Sequence, residues 1–127
     1  HHHRSAIRSR APTAMLKWER GRQDGGYDKL LILSSAIIPF DIWLLRFPKG
    51  ARIAEHVDPV DAEFNHYRMN VIVKPAKRGG EFRVTKAIIN WRFLKLFRPD
   101  VSPHSVTQVD EGTRYVLSIG WLTRRAP

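Results

Sequence analysis

The chain has 127 residues, a formal charge of +10 and no cysteine. The missing cysteine excludes disulfide scaffolds, thiolate metal sites and cysteine nucleophiles. The length suits one domain burying roughly two thirds of its unfolded surface, and the basic balance favours an anionic partner such as nucleic acid, an acidic peptide or a small carboxylate.

His1 to His3 read as the remnant of a purification tag, which leaves His56, His66 and His104 as native histidines. Residues 4–28 form a basic N-terminal arm carrying Arg4, Arg8, Arg10, Arg20 and Arg22. Thr13 is placed to cap a short helix over Ala14 to Arg20 that Gly21 ends. Residues 29–127 are expected to form the domain. Their longest apolar stretch, Leu30 to Leu45, is interrupted by Ser34, Ser35, Pro39 and Asp41 and is too short to span a bilayer. A cytoplasmic protein without a membrane partner is the expectation.

From Lys29 the texture is that of strands. Lys29 to Ile38 is apolar and β-branched and is ended by Pro39; Ile42 to Phe47 follows, then a Pro48-Lys49-Gly50 turn. Ala51 to His56 alternates, and Asp58-Pro59 opens an acidic loop running to Glu63. Further strands are expected at Tyr67 to Lys74, Glu81 to Thr85, Ala87 to Ile89, Arg92 to Phe97, His104 to Val109 and Arg114 to Leu122. Short strands, frequent turn signals and almost no helical periodicity predict an all-β sandwich or barrel of the jelly-roll or cupin-like kind.

Alternate residues of a strand share a face. If the strand from Ala51 runs on, His56 and Asp58 point the same way, and a barrel interior can receive His104 from a neighbouring strand. Two imidazoles and one carboxylate on one face of an ion leave coordination positions open, the donor set of non-haem Fe(II) oxygenases. Arg114 begins a strand ten residues after His104. A hairpin between the two strands would set a small diacid between metal and guanidinium, and Arg suits a bidentate carboxylate contact. Taken singly, a His-x-Asp is a weak signal, and His56 as a surface histidine or His104 as a turn residue after Pro103 are the plain alternatives.

The order and spacing of several blocks carry more. Phe47-Pro48-Lys49-Gly50, His56-Val57-Asp58, Arg68-Met69-Asn70, Gly79-Gly80-Glu81-Phe82, Pro103-His104-Ser105-Val106, Gly112-Thr113-Arg114-Tyr115 and Ser118 to Trp121 together cover about two thirds of the chain. In these residues the sequence resembles the 2-oxoglutarate- and Fe(II)-dependent oxygenases, particularly the prolyl-4-hydroxylase-like branch. The resemblance implies a double-stranded β-helix in which His56, Asp58 and His104 bind Fe(II) and are the catalytic centre. It implies that 2-oxoglutarate chelates the iron and that Arg114 holds its distal carboxylate. With O2, the cosubstrate would yield succinate and CO2 while a C–H bond is hydroxylated, in a peptidyl prolyl or other protein side chain. Val116 stands where many members carry Ser or Thr, and Tyr67 is the candidate for the usual helping tyrosine.

Period two places Asn70 and Arg68 on one strand face, which puts Asn70 beside the cosubstrate and Arg68 towards substrate. The four tryptophans read as core or core-edge, with Trp43 next best placed to line a substrate pocket. His66 reads as a solvated loop residue, and Gly79-Gly80 as a hairpin turn. Arg52, Lys74, Lys77, Arg78 and Arg83 flank the expected mouth. Two alternatives to the peptide hydroxylase stay open: a non-catalytic cupin-like module binding a metal or small anion, and a 2-oxoglutarate oxygenase acting on nucleic acid. A small-molecule substrate is equally compatible.

Overall fold

The computed structural model describes residues 17–21 and 25–126. Among them the chain is all β, with twelve strands and no helix. They are β1 (Trp18–Arg20), β2 (Asp28–Ser35), β3 (Phe40–Phe47), β4 (Ile53–His56), β5 (Phe64–Lys74), β6 (Arg78–Gly79), β7 (Phe82–Val84), β8 (Ala87–Asn90), β9 (Leu94–Phe97), β10 (His104–Val106), β11 (Val109–Glu111) and β12 (Arg114–Arg124).

The strands form a seven-stranded antiparallel sheet in the order β1-β2-β3-β12-β5-β9-β8, a three-stranded sheet β4-β10-β7 and a two-stranded ribbon β11-β6. β12 is the spine of the large sheet. It is long, unbroken by Pro and paired on both sides, with β3 from Arg114↔Phe47 to Trp121↔Phe40 and with β5 from Tyr115↔Lys74 to Arg124↔Phe64. Its burial alternates from Arg114 onward, so Arg114, Val116, Ser118 and Gly120 face inward.

The core lies at the Arg114 end. Tyr27, Phe47, Ala51, Val106, Val109 and Val116 are buried together, with Leu45, Ile53, Ile72, Ala76 and Phe82 packed against them. Tyr27 stacks on Phe47 with ring centroids 4.9 Å apart. The core therefore draws a side chain from before residue 29. Gly79 and Gly80 both have positive φ, 76° and 63°, and a Cβ on Gly79 would strike the Gln108 carbonyl oxygen. Only glycine allows this tight connection beside β11.

Three expectations change. Trp18–Arg20, assigned to the end of a short helix, is a strand: Trp18 pairs with Leu30 and packs its ring under the Arg46 guanidinium at 3.9 Å. Residues Thr13 to Leu16 lie outside the described residues. The strand from Lys29 stops at Ser35, and Ile37 and Ile38 stand exposed in the following turn. The largest change concerns His104 and Arg114. β10 and β12 are not a hairpin, since β10 pairs with β4 and β7 in the small sheet while β12 pairs with β3 and β5. The chain leaves β10 at Thr107 and Gln108 and forms β11 against β6 before it enters β12. His104 and Arg114 belong to opposed sheets and meet across the interior.

Candidate metal centre

β10 and β4 are antiparallel, and their register sets His104 directly opposite His56. The imidazole centroids are 4.4 Å apart. Asp58 lies beyond the end of β4, in a loop, so strand parity is not what aims it. Its backbone N–H donates to the Pro99 carbonyl at 2.7 Å, and this bond turns the loop inward. One carboxylate oxygen then lies 3.4 Å from His56 Nε2 and the other 3.5 Å from His104 Nε2.

Both imidazoles are oriented from behind. His56 Nδ1 lies 2.8 Å from the Ala54 carbonyl and His104 Nδ1 lies 2.9 Å from the Ser102 carbonyl. A carbonyl only accepts, so Nδ1 donates in each ring and Nε2 is the nitrogen turned towards Asp58. That is the outer-shell arrangement of metal-ligating histidines. The three ligand atoms lie within 4.8 Å of one another, and the separations of 3.4 and 3.5 Å exceed good hydrogen bonds. The donor set fits a divalent ion shared between the three side chains. Burial pushes the Asp58 carboxyl up, but the facing His104 and His56 imidazoles outweigh it, and its pKa lies below the ordinary value.

One loop steadies two of the three ligands. Residues 98–103 supply the Pro99 carbonyl to Asp58 and the Ser102 carbonyl to His104. Ser102 is itself tied to β8's approach, accepting from Lys86 N–H and donating to the Lys86 carbonyl, both at 2.9 Å. Across the loop Arg98 grips the nearly buried Asp100 at 2.6 Å. Burial pushes the Asp100 carboxyl up, yet the bond from Arg98 and a backbone N–H from His66 prevail and hold it below the ordinary value. A depressed carboxyl stabilises the fold above its unfolded pKa and loses that contribution as pH falls through the folded value. At pH 7, Asp100→Asn is expected to be less stable than wild type by about 1–3 kcal/mol. In urea titrations that deficit should close below about pH 3.9, the unfolded pKa of aspartate; a deficit independent of pH would count against the ion pair.

The centre opens into a cavity of about 400 Å³ between the two sheets. The large sheet forms its floor in cross-strand rows: Phe47 beside Arg114, then Leu45, then Trp43, Ser118 and Asn70, then Asp41 and Arg68. Arg114 sits at the inner end, 3% exposed, with its guanidinium over the Phe47 ring at 5.0 Å. No carboxylate among the described residues pairs with it, and burial alone pulls its pKa down to about 10. A buried cation facing a cavity without a counter-charge is costly. Such a group points to an anion.

No protein-family model matches the sequence, and no curated protein matches it. The fold has clear counterparts among solved structures. A prolyl-4-hydroxylase from Pseudomonas putida superposes with a TM-score of 0.64 at 15% identity, over 91% of this chain and 92% of that one. A predicted oxalate decarboxylase from Thermotoga maritima gives 0.62 at 14% identity, over 85% and 94%. A viral collagen prolyl hydroxylase from Paramecium bursaria Chlorella virus-1, in a 2-oxoglutarate complex, gives 0.50 at 17% identity, over 65% and 57%. The chain has the cupin-like double-stranded β-helix fold. Identities this low establish the fold and leave the chemistry to the site.

Of the residues singled out in the sequence, the cavity gathers His56, Asp58, His104, Arg114, Asn70, Arg68 and Trp43. Tyr67 is not among them. His66, Arg68 and Asn70 face inward on β5, so Tyr67 faces out, stacked on Trp121 at 5.9 Å. It is no helper to a ligand inside. His66 is not a solvated loop residue either: it lies on β5, lines the cavity and has a buried, unpartnered Nδ1. Trp91 is on the surface, 65% exposed at the β8–β9 turn. The cations expected at the mouth, Arg52, Lys74, Lys77, Arg78 and Arg83, do not line the cavity; Lys77 and Arg78 pair with Glu111, and Arg83 with Glu81.

Tyr27, Lys29 and Ser118 line the cavity unforeseen. Ser118 was readable, since inward positions on β12 recur every second residue from Arg114. Tyr27 precedes its strand and carries no periodic signal.

Proposed function

We propose that the protein is an Fe(II)- and 2-oxoglutarate-dependent dioxygenase that hydroxylates an unactivated C–H bond. The observation carrying this reading is Arg114, a buried guanidinium without a carboxylate partner, in the same cavity as a His-Asp-His cluster. His56, Asp58 and His104 would hold the iron and leave positions for a chelating cosubstrate and O2. When bound, iron with 2-oxoglutarate and O2 supplies the oxidising power, with succinate and CO2 as co-products.

The chain's own residues bind and orient. Arg114 would take the distal carboxylate, since a guanidinium suits a bidentate carboxylate contact. Val116 is fully buried and offers no hydroxyl there; Tyr27, stacked on the same Phe47 that lies under Arg114, shapes this cavity wall. Phe82 and Phe97 pack beside His104, with Phe97 5.0 Å from its ring, and would keep water from the inner side of the His-Asp-His cluster. The prolyl hydroxylases among the structural counterparts make a peptidyl side chain the substrate class to try first.

The test is anaerobic addition of Fe(II) and then 2-oxoglutarate. A visible absorption band that needs both, followed by O2-dependent succinate release, is the expected result. Metal binding with no response to 2-oxoglutarate would overturn the oxygenase reading and leave the cupin-like module that binds a metal or small anion.

A further inference from the structure

Four polar side chains run in one direction across three neighbouring strands of the cavity floor. Asp41 on β3 accepts from Arg68 Nη2 at 2.8 Å. Arg68 on β5 donates through Nη1 to Ser118 Oγ on β12 at 2.9 Å. The Ser118 hydroxyl donates onward to Asn70 Oδ1 at 2.7 Å. Ser118 and Asn70 are buried.

The chemistry of each group fixes the polarity of this chain. A guanidinium only donates, so Ser118 Oγ must accept from Arg68. The hydroxyl's single proton then goes to Asn70, and the acceptor end of that amide is committed. The amide's other end, Nδ2 with two N–H donors, has no partner among the described residues, and Asn70 lines the cavity. We infer that Ser118 and Arg68 are positioning residues that lock the Asn70 amide with its N–H donors aimed at an acceptor oxygen of the bound ligand. The reading rests on the proposed function for the ligand's identity, a carboxylate or oxo oxygen of 2-oxoglutarate. The lock itself rests only on the hydrogen bonds.

Gly120 belongs to the same device. It lies between Asp41 and Arg68 in the cross-strand row, and a Cβ built there would strike Arg68 Nη2 and lie 2.5 Å from its Cζ. Any side chain at 120 would lift the guanidinium off the sheet and away from Ser118. The backbone at Gly120 needs no positive φ, so the requirement comes from the space Arg68 occupies.

Two readouts decide the matter. In ligand-free protein, NMR relaxation of the Asn70 Nδ2 group should show one rigid orientation in wild type and in Ser118→Thr, which keeps the hydroxyl. It should show motional averaging in Ser118→Ala and Gly120→Ala. In Zn(II)-loaded protein, calorimetric titration with 2-oxoglutarate should give about tenfold weaker binding for Ser118→Ala and Gly120→Ala, and affinity within about threefold of wild type for Ser118→Thr. Two fold-preserving substitutions that break the chain at different links protect the test against instability in either. An equally rigid Asn70 amide in either disrupted variant overturns the lock. A mobile amide with unchanged affinity overturns its role in ligand binding. If wild type itself takes up no 2-oxoglutarate, the functional reading falls, while the relaxation data still decide whether Ser118 fixes Asn70.

Discussion

Arg114→Met is expected to bind 2-oxoglutarate at least a hundredfold more weakly than wild type and, without ligand, to melt at a higher temperature. Both effects follow from one fact: the guanidinium is buried and has no carboxylate partner. Two charge-assisted hydrogen bonds to a carboxylate are worth about 1.5–3 kcal/mol each, so their loss costs two or more powers of ten in affinity. The thermal gain comes from the free protein. Burial lowers the guanidinium pKa well below its ordinary value, to about 10, so holding its charge at pH 7 costs the folded state on the order of 3 kcal/mol. The unfolded chain binds that proton more tightly, and wild-type stability should therefore rise as pH climbs past about 10. Contact with the Phe47 ring at 5.0 Å returns part of the cost. Methionine keeps the long apolar stem and removes the charge, and a gain of several degrees is expected. Calorimetry with and without 2-oxoglutarate measures both effects. A lower melting temperature with unchanged affinity would make Arg114 a structural cation and remove the main support for a diacid ligand.

The same residue shows what could be read in the sequence. Its position at the head of an alternating strand is local information, and the inward phase of Arg114, Val116, Ser118 and Gly120 follows from it. Most strands were legible for the same reason, because β-branched runs and Pro or Gly punctuation act over a few residues. Partner choice is not local. Nothing in His104 to Arg114 says that β10 joins β4 while β12 joins β3, since that depends on which distant strands offer free edges. Trp18–Arg20 is a strand only because β2 gives it a partner, and three residues show no period of their own. Asp58 reaches the two imidazoles through a bond to Pro99, far along the chain. His56, Asp58 and His104 lie together in the fold, but a loop hydrogen bond rather than strand parity turns Asp58 inward. Tyr67 failed for the opposite reason: parity does apply on β5, and counting from Asn70 would have turned it outward.

Asp58→Ala should abolish metal-induced stabilisation while Arg114→Met keeps it. Metal that binds only the folded state raises stability by about 2.7 kcal/mol at a hundred times its dissociation constant. Wild type titrated with Mn(II) should therefore melt several degrees higher. Removing the carboxylate deletes the one anionic ligand of the cluster and leaves two imidazoles. The loss should exceed the 10–100-fold that an outer-shell change costs. Asp58→Asn is intermediate, since an amide oxygen donates to the metal without the charge. Because the Asp58 pKa lies below the ordinary value, the carboxylate stays ionised from pH 7 to 5. A fall in metal affinity across that range would report protons competing for the ligating nitrogens. Mn(II) stabilisation of Asp58→Ala equal to wild type would move the metal away from this cluster. Loss in Asp58→Ala alone, with 2-oxoglutarate binding lost in Arg114→Met alone, would assign metal and cosubstrate to opposite walls of one cavity, which is the division of labour that the two opposed sheets make available.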